Sequence, residues 1–374
     1  MKTEDRIKTI NPLTSIRGAA AFWVVYHHYS GIDSYPFEPY WLTFLRRGFL
    51  GVDIFFILSG FIMSYCYAHF FTTAGLSKKM YFRFLGLRLA RIYPLHFFVL
   101  TLFFVLTFEN FLPHHAYAKN YDFQWAYWTS LIQSLLLIQA WDIDQQLWNG
   151  VAWTISVEWF LYLLFPAAII FCMRLPKLAV CGFLIPLYLV IAFSQANDPI
   201  FWAQLHSGVP CGALFRGCAG YFTGILLYRL YKDKVLFSLP WKLIGNVSAI
   251  LIPVVVLGVH QIAFILPLFA LLIYALAHPS NARHSLWNSR PMIFLGDISY
   301  SIYMIQLFIL SAFIHPNLHW LFITKICCLL FTVVIIIFSC ITWRFIEKPS
   351  RRYIRKRWLG SEAAEMPVTE AAAP

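Results

Sequence analysis

Ten stretches of this chain are almost free of charge and long enough to cross a bilayer. They are 12–30, 48–70, 86–108, 153–173, 177–194, 211–230, 242–259, 261–277, 296–314 and 321–343. A helix rises about 1.5 Å per residue, so about 20 residues span the roughly 30 Å hydrocarbon core. An eleventh apolar run, 126–141, is short and flanked by acidic residues. The pattern predicts an all-α, polytopic membrane protein. It has about ten transmembrane helices plus one re-entrant or interfacial helix. No internal repeat is visible.

Two polar residues interrupt the first stretch, LTSIRGAAAFWVVYHHY. Arg17 and His28 are eleven residues apart, and three helical turns take about 10.8 residues. Both side chains therefore lie on one face, separated by roughly 16 Å along the axis. With Arg17 at a membrane edge, His28 lies past the midplane. An imidazole there is costly unless it has a partner or a task. His27 points about 100° away and reads as structural.

Composition strengthens the membrane assignment. Of 374 residues, 60% are hydrophobic and 12% charged, which excludes an ordinary soluble domain. The net charge of +12 could suggest nucleic acid. The basic residues instead occupy short loops between apolar runs, as cytoplasmic loops do, so no nucleic-acid partner is expected. The 8 cysteines form no CxxC pair, and neither a metal site nor a disulfide framework is indicated. The polar N-terminus is not a cleavable signal.

Lys and Arg set the orientation. Clusters fall at Lys2, Arg6 and Lys8; at Lys78 through Arg91; at Arg174 with Lys177; at Arg229 through Lys242; at Arg283 with Arg290; and at Arg344 through Arg357. The positive-inside rule makes all six cytoplasmic, so both termini are expected in the cytoplasm and the protein in the cell (inner) membrane. Run 126–141 then starts and ends outside, as does the acidic loop at Asp142 and Asp144. Arg46 and Arg47 fall in an outer loop and go against the rule. Three segments follow: a cytoplasmic piece at 1–11, a membrane domain at 12–347, and a tail at 348–374, basic and then disordered.

Glu158, in WTISVEWFLYLLFP, lies a turn and a half into a span that starts outside. That depth matches His28, and the two are expected to pair. Hydrogen bonding to a neighbouring helix is the bland reading, but buried ionisable groups in membranes are functional by default. Arg88 and Arg91 share a helix face at a cytoplasmic mouth. They suit bidentate phosphate binding or, equally, snorkelling to lipid headgroups. Asp53 is a third buried acid; it reads first as a helix cap and stands also as a substrate-cavity candidate. Ser59 and Gly60 suit close helix packing. Trp153 reads as cavity lining or interface anchor. Tyr300, Tyr303 and Gln306 share one face and suit a polar cavity wall.

Six pieces in order resemble the acyltransferase 3 family of integral membrane acyltransferases. They are Arg17 with His28, GVDIFFILSGF at 51–61, RLAR at 88–91, WTISVEWFLYLLFP at 153–166, GDISYSIYMIQ at 296–306 and FIEKP at 345–349. The resemblance implies ten helices and transfer of an acyl group, commonly acetyl, from cytoplasmic acyl-coenzyme A. The implied acceptor is a hydroxyl of an envelope glycan or a lipid-linked saccharide. It makes His28 and Glu158 essential, with Arg17 in the first motif, and links Arg88 and Arg91 to the donor. The family often has a His where this chain has Gln306. The rival reading is a secondary transporter, against which stands the lack of a repeated half. Membrane lipids are partners in either case.

Overall fold

The computed structural model describes residues 9–30, 40–73, 77–108, 121–141, 148–197, 212–258, 262–282, 286–313 and 325–359. The clusters at Lys2 through Lys8 and at Arg283, the acidic loop at Asp142 and Asp144, and the chain beyond residue 359 lie outside these. The described residues form helices joined by turns, with no strand among them. The helices are α1 (Asn11–Ser30), α2 (Tyr40–Arg46), α3 (Gly51–Thr73), α4 (Lys78–Phe108), α5 (Tyr121–Leu136), α6 (Trp153–Arg174) and α7 (Lys177–Asn197). Then follow α8 (Gly212–Lys232), α9 (Trp241–Gly258), α10 (Ile262–Ala277), α11 (Arg290–Asp297), α12 (Ser299–Phe313), α13 (Lys325–Thr342) and α14 (Lys348–Leu359).

Among the described residues, five helical stretches are long and apolar enough to cross a membrane. They are Leu42–Thr73, Lys78–Phe108, Gly150–Arg174, Trp241–Gly258 and Leu329–Arg357. A sixth arises if α11 and α12, bent by 62°, count as one span. This is fewer than the ten expected. The described apolar parts of α7 and α10 are short, and α1 and α8 carry buried arginines that lower their hydropathy.

Small residues let the central helices touch. α3 crosses α8 at Gly60, where a Cβ would lie 2.0 Å from the Tyr221 carbonyl oxygen. α1 crosses α11 at Gly296, where a Cβ would lie 1.9 Å from the Thr14 carbonyl oxygen. In lipid there is little hydrophobic drive between helices, so such close approach supplies the packing energy. Gly60→Ala must therefore push α3 and α8 apart and sharply lower the yield of monodisperse protein in detergent. Gly182→Ala, with nothing within 4 Å, should leave it unchanged. Equal yields would show that the α3–α8 contact is looser than described.

The 126–141 run behaves as a helix that does not continue. α5 ends in a Schellman turn, with Leu137 at φ 58° and the Ile138 N–H bonded to the Gln133 carbonyl at 3.0 Å. The chain then lies against the start of α6. The Ala140 N–H donates to Ser156 Oγ at 3.1 Å, and Gln139 Nε2 donates to the Ala152 carbonyl at 3.0 Å. These bonds anchor the entry to α6 inside the protein. Asn149 adds to it, donating from Nδ2 to the Met304 carbonyl at 2.9 Å.

Candidate active site

Arg17 is 3% exposed and donates from Nη2 to Ser299 Oγ at 3.2 Å. Ser299 opens α12 just past the bend, and its hydroxyl also donates to the Gly296 carbonyl at 2.7 Å. The tight Gly296 crossing thus brings the broken helix end to the guanidinium. Beside it is a cavity of about 60 Å³. A water occupies about 30 Å³ in the liquid, so that is room for roughly two waters. Its walls come from Arg17 of α1, Ser59 of α3, Thr154 and Glu158 of α6, and Ser299, Tyr300 and Tyr303 of α12, with apolar residues between.

Glu158 Oε1 accepts from the Tyr162 hydroxyl at 2.5 Å and from Ser59 Oγ at 3.2 Å. Both donors reach the same oxygen, which leaves Oε2 for the cavity. Tyr303 Oη donates to the Val151 carbonyl at 3.2 Å and receives the Thr154 hydroxyl at 3.0 Å.

The structure brings Arg17, Glu158 and Tyr300 to this one cavity. It does not bring His28 into contact with Glu158. The start of α6 is bonded to Tyr303 and Met304, in the second turn of α12, so Glu158 sits level with Ser299 and Arg17. His28 stands further along α1, beside Gln306. Arg17 and His28 do share a face, since both meet α12. Ser299, Tyr303 and Gln306 form a stripe on α12 that runs from the cavity to the imidazole, over roughly 10 Å.

His28 Nδ1 lies 3.0 Å from the Val24 carbonyl oxygen. A carbonyl only accepts, so the proton of the neutral ring is on Nδ1 and the lone pair on Nε2. Gln306 donates from Nε2 to the Tyr303 carbonyl at 3.0 Å, while its Oε1 is buried without a hydrogen-bond partner. His27 is held differently: its Nδ1 lies 2.5 Å from the Arg46 carbonyl oxygen and its ring meets Phe49 edge-on. It ties α1 to α2. Arg47 donates to the Val256 carbonyl, so its guanidinium is taken up within the protein at the end of α9.

Arg88 and Arg91 are buried, at 6% and 5% exposure, rather than at an open mouth. Arg88 Nη2 donates to the Tyr67 hydroxyl at 2.7 Å, and its guanidinium lies over the Tyr162 ring. Its Nε is buried without an acceptor. Arg91 pairs with Glu347 at 3.7 Å. Glu347 also accepts from Ser301 Oγ at 2.9 Å and from Arg351. It ends a π-helical turn, Trp343–Glu347, between α13 and α14. Such turns are local distortions that often mark functional sites. Within FIEKP, the acid was the signal that sequence reading passed over.

Asp53 and Trp153, expected in the cavity, stand behind its wall. Arg216 of α8 donates to both carboxylate oxygens of Asp53, at 2.8 and 2.7 Å. Its guanidinium lies 5.7 Å from the Trp153 ring. The pair is 2% and 1% exposed, and it fastens α8 to the first turn of α3.

Long apolar helices packed around a small, polar-lined cavity define an integral membrane protein with a candidate site inside the bundle. The match to known proteins is specific: an acyltransferase-domain model, that of the acyltransferase 3 family, covers residues 11–342. The chain belongs to that family and is a membrane acyltransferase. It is 25% identical to the acyltransferase MdmB of Streptomyces mycarofaciens, over 82% of this chain and 80% of MdmB. It is 25% identical to the O-acetyltransferase OatA of Staphylococcus aureus, over 91% of this chain and 57% of OatA. It is also 25% identical to the putative peptidoglycan O-acetyltransferase YrhL of Bacillus subtilis, over 81% of this chain and 50% of YrhL. The chain thus spans only about half the length of the last two. No solved structure matches it.

Proposed function

We propose that the protein moves an acetyl group from cytoplasmic acyl-coenzyme A to a hydroxyl of an envelope glycan or lipid-linked saccharide. The observation that carries this reading is the polar stripe from the Arg17–Glu158 cavity to His28. The names of OatA and YrhL support acetyl as the group and a glycan as the acceptor. A transporter would need a path wide enough for a whole solute, and this cavity is narrow. A slender thioester arm suits it better.

The donor's phosphates stay near the basic end of α4, within reach of Arg88 and Arg91. The orphaned Arg88 Nε is one donor ready for an acceptor atom. The arm threads the cavity, where Arg17 and Glu158 Oε2 meet its amide oxygen and amide N–H. The thioester carbonyl then arrives beside His28 and Gln306.

At neutral pH a hydroxyl needs a base to attack a thioester. His28 Nε2 takes the acceptor's proton as its oxygen bonds to the carbonyl carbon. The protonated ring can donate to Gln306 Oε1, which would otherwise stay unsatisfied in the protein interior. When the C–S bond breaks, the leaving sulfur recovers the proton from Nε2. Atoms balance as one ester formed and one thiol released.

The test is transfer by purified protein in proteoliposomes, using coenzyme A labelled in the acetyl group and a glycan acceptor. Base-labile label should appear on the glycan. Arg88→Ala with Arg91→Ala should weaken donor binding by roughly tenfold or more, since charge-assisted bonds contribute about 1.5–3 kcal/mol each. Label that never reaches the glycan, although the donor binds, would overturn the reading.

A further inference from the structure

A second and larger cavity lies away from the transfer site. It is a groove of about 680 Å³ between α7, α8 and α10, closed at one end by the 233–241 loop. Sites of this size bury a substantial apolar ligand. Its walls are hydrocarbon, and the few polar groups are already satisfied within the protein. Tyr188 and Thr223 hydroxyls are 3.0 Å apart, and Thr223 also donates to the Ala219 carbonyl at 2.7 Å. Tyr274 donates to the Val235 carbonyl at 2.6 Å, and Trp241 Nε1 to the Leu236 carbonyl at 2.7 Å. Nothing is left to hold water, and a dry apolar groove takes hydrocarbon.

The groove is open along its side. Ile185, Leu189 and Phe264 line it and are 59%, 63% and 66% exposed. In a membrane these face lipid tails. The mouth at the loop end is basic. Lys232, Lys234 and Lys242 are exposed there and form no ion pair with the described residues. The nearby acid, Asp233, is engaged by Lys177 at 2.6 Å. The loop is held in an unusual shape: Lys234 and Leu236 both have positive φ, 52° and 58°. That conformation costs a non-glycine residue stability. Here it sets Leu236 on the groove wall, two residues after Lys234.

We propose that this groove binds one hydrocarbon chain of an anionic membrane phospholipid, with its phosphate among Lys232, Lys234 and Lys242. The apolar length selects a lipid tail, and the unpaired charge selects an anionic headgroup. Neither group belongs to the transfer site, because α8 separates the two: Gly60 of α3 meets the Tyr221 side of α8, whereas Thr223 faces the groove.

The test uses the full-length protein in nanodiscs of equal phosphatidylglycerol and phosphatidylcholine, read by native mass spectrometry after release. A basic residue near a lipid surface favours an anionic headgroup by about fivefold. The wild type should retain one phosphatidylglycerol in at least about fivefold preference over phosphatidylcholine. Changing the three lysines to Gln should bring the preference close to one while a lipid is still held. Ala270→Trp should fill the groove and release the lipid. Folding of both variants is checked by thermal unfolding, and acetyl transfer should persist. Equal retention of the two lipids by the wild type would overturn the proposal. So would unchanged retention in a folded Ala270→Trp protein.

Discussion

His28→Ala should lower acetyl transfer by about 10²–10⁴-fold, the range a positioned general base contributes. His27→Ala should keep most of the activity. The two rings are adjacent, with centroids 5.0 Å apart, so the contrast is demanding. Their bonding differs: His27 anchors the α2 carbonyl end, whereas His28 bonds through Nδ1 to the Val24 carbonyl of its own helix and turns towards Gln306 of α12. His27→Ala should instead lower thermal stability by about 1–3 kcal/mol, the penalty for a buried acceptor left unsatisfied. Transfer assays on both variants, with donor affinity measured in parallel, decide the matter. Equal loss of transfer in both would mean the base is misassigned.

Asp53→Leu should be the most damaging single change to stability. It removes the carboxylate that takes two of the buried Arg216 guanidinium's hydrogen bonds, leaving that charge beside the Phe49 carbonyl and ring. Removing one partner of a buried ion pair costs about 3–5 kcal/mol, because the survivor is an uncompensated charge. Replacing both, as Asp53→Leu with Arg216→Met, should recover much of that loss, since apolar pairs of similar volume often substitute without penalty. Thermal unfolding in detergent measures both. A single variant as stable as the wild type would show that the pair contributes nothing.

That ion pair also shows where sequence reading stops. Asp53 and Arg216 are 163 positions apart, and no local pattern links them. Arg91 and Glu347 meet from still more distant elements. By contrast, the face shared by Arg17 and His28 follows from helical periodicity alone, and α12 confirms it by touching both. Glu158 bonds Tyr162 and Ser59 and lines the cavity rather than meeting His28, and the reason is physical. Counting turns from an assumed outer surface takes every span to begin at that surface. Here the entry to α6 is pulled inward by Asn149, Val151 and Thr154, which bond to α12. Likewise, 296–314 reads as one straight span, yet the chain bends at Asp297–Ser299 and places Ser299 on Arg17. Both departures come from polar bonds between helices, and hydropathy carries no record of those.

The account rests on the donor's acyl carbon reaching His28 by way of the α12 stripe. Alkylation by chloroacetyl-coenzyme A tests this most directly. Gln306→Cys is placed in a variant depleted of its native cysteines, and the intact mass is measured after reaction. The account predicts one covalent adduct carrying the whole coenzyme, formed at residue 306 and suppressed by excess acetyl-coenzyme A. Ser299→Cys, beside the arm but short of the acyl carbon, should react far more slowly. An unmodified residue 306, with the analogue bound at the wild-type affinity, would contradict the account.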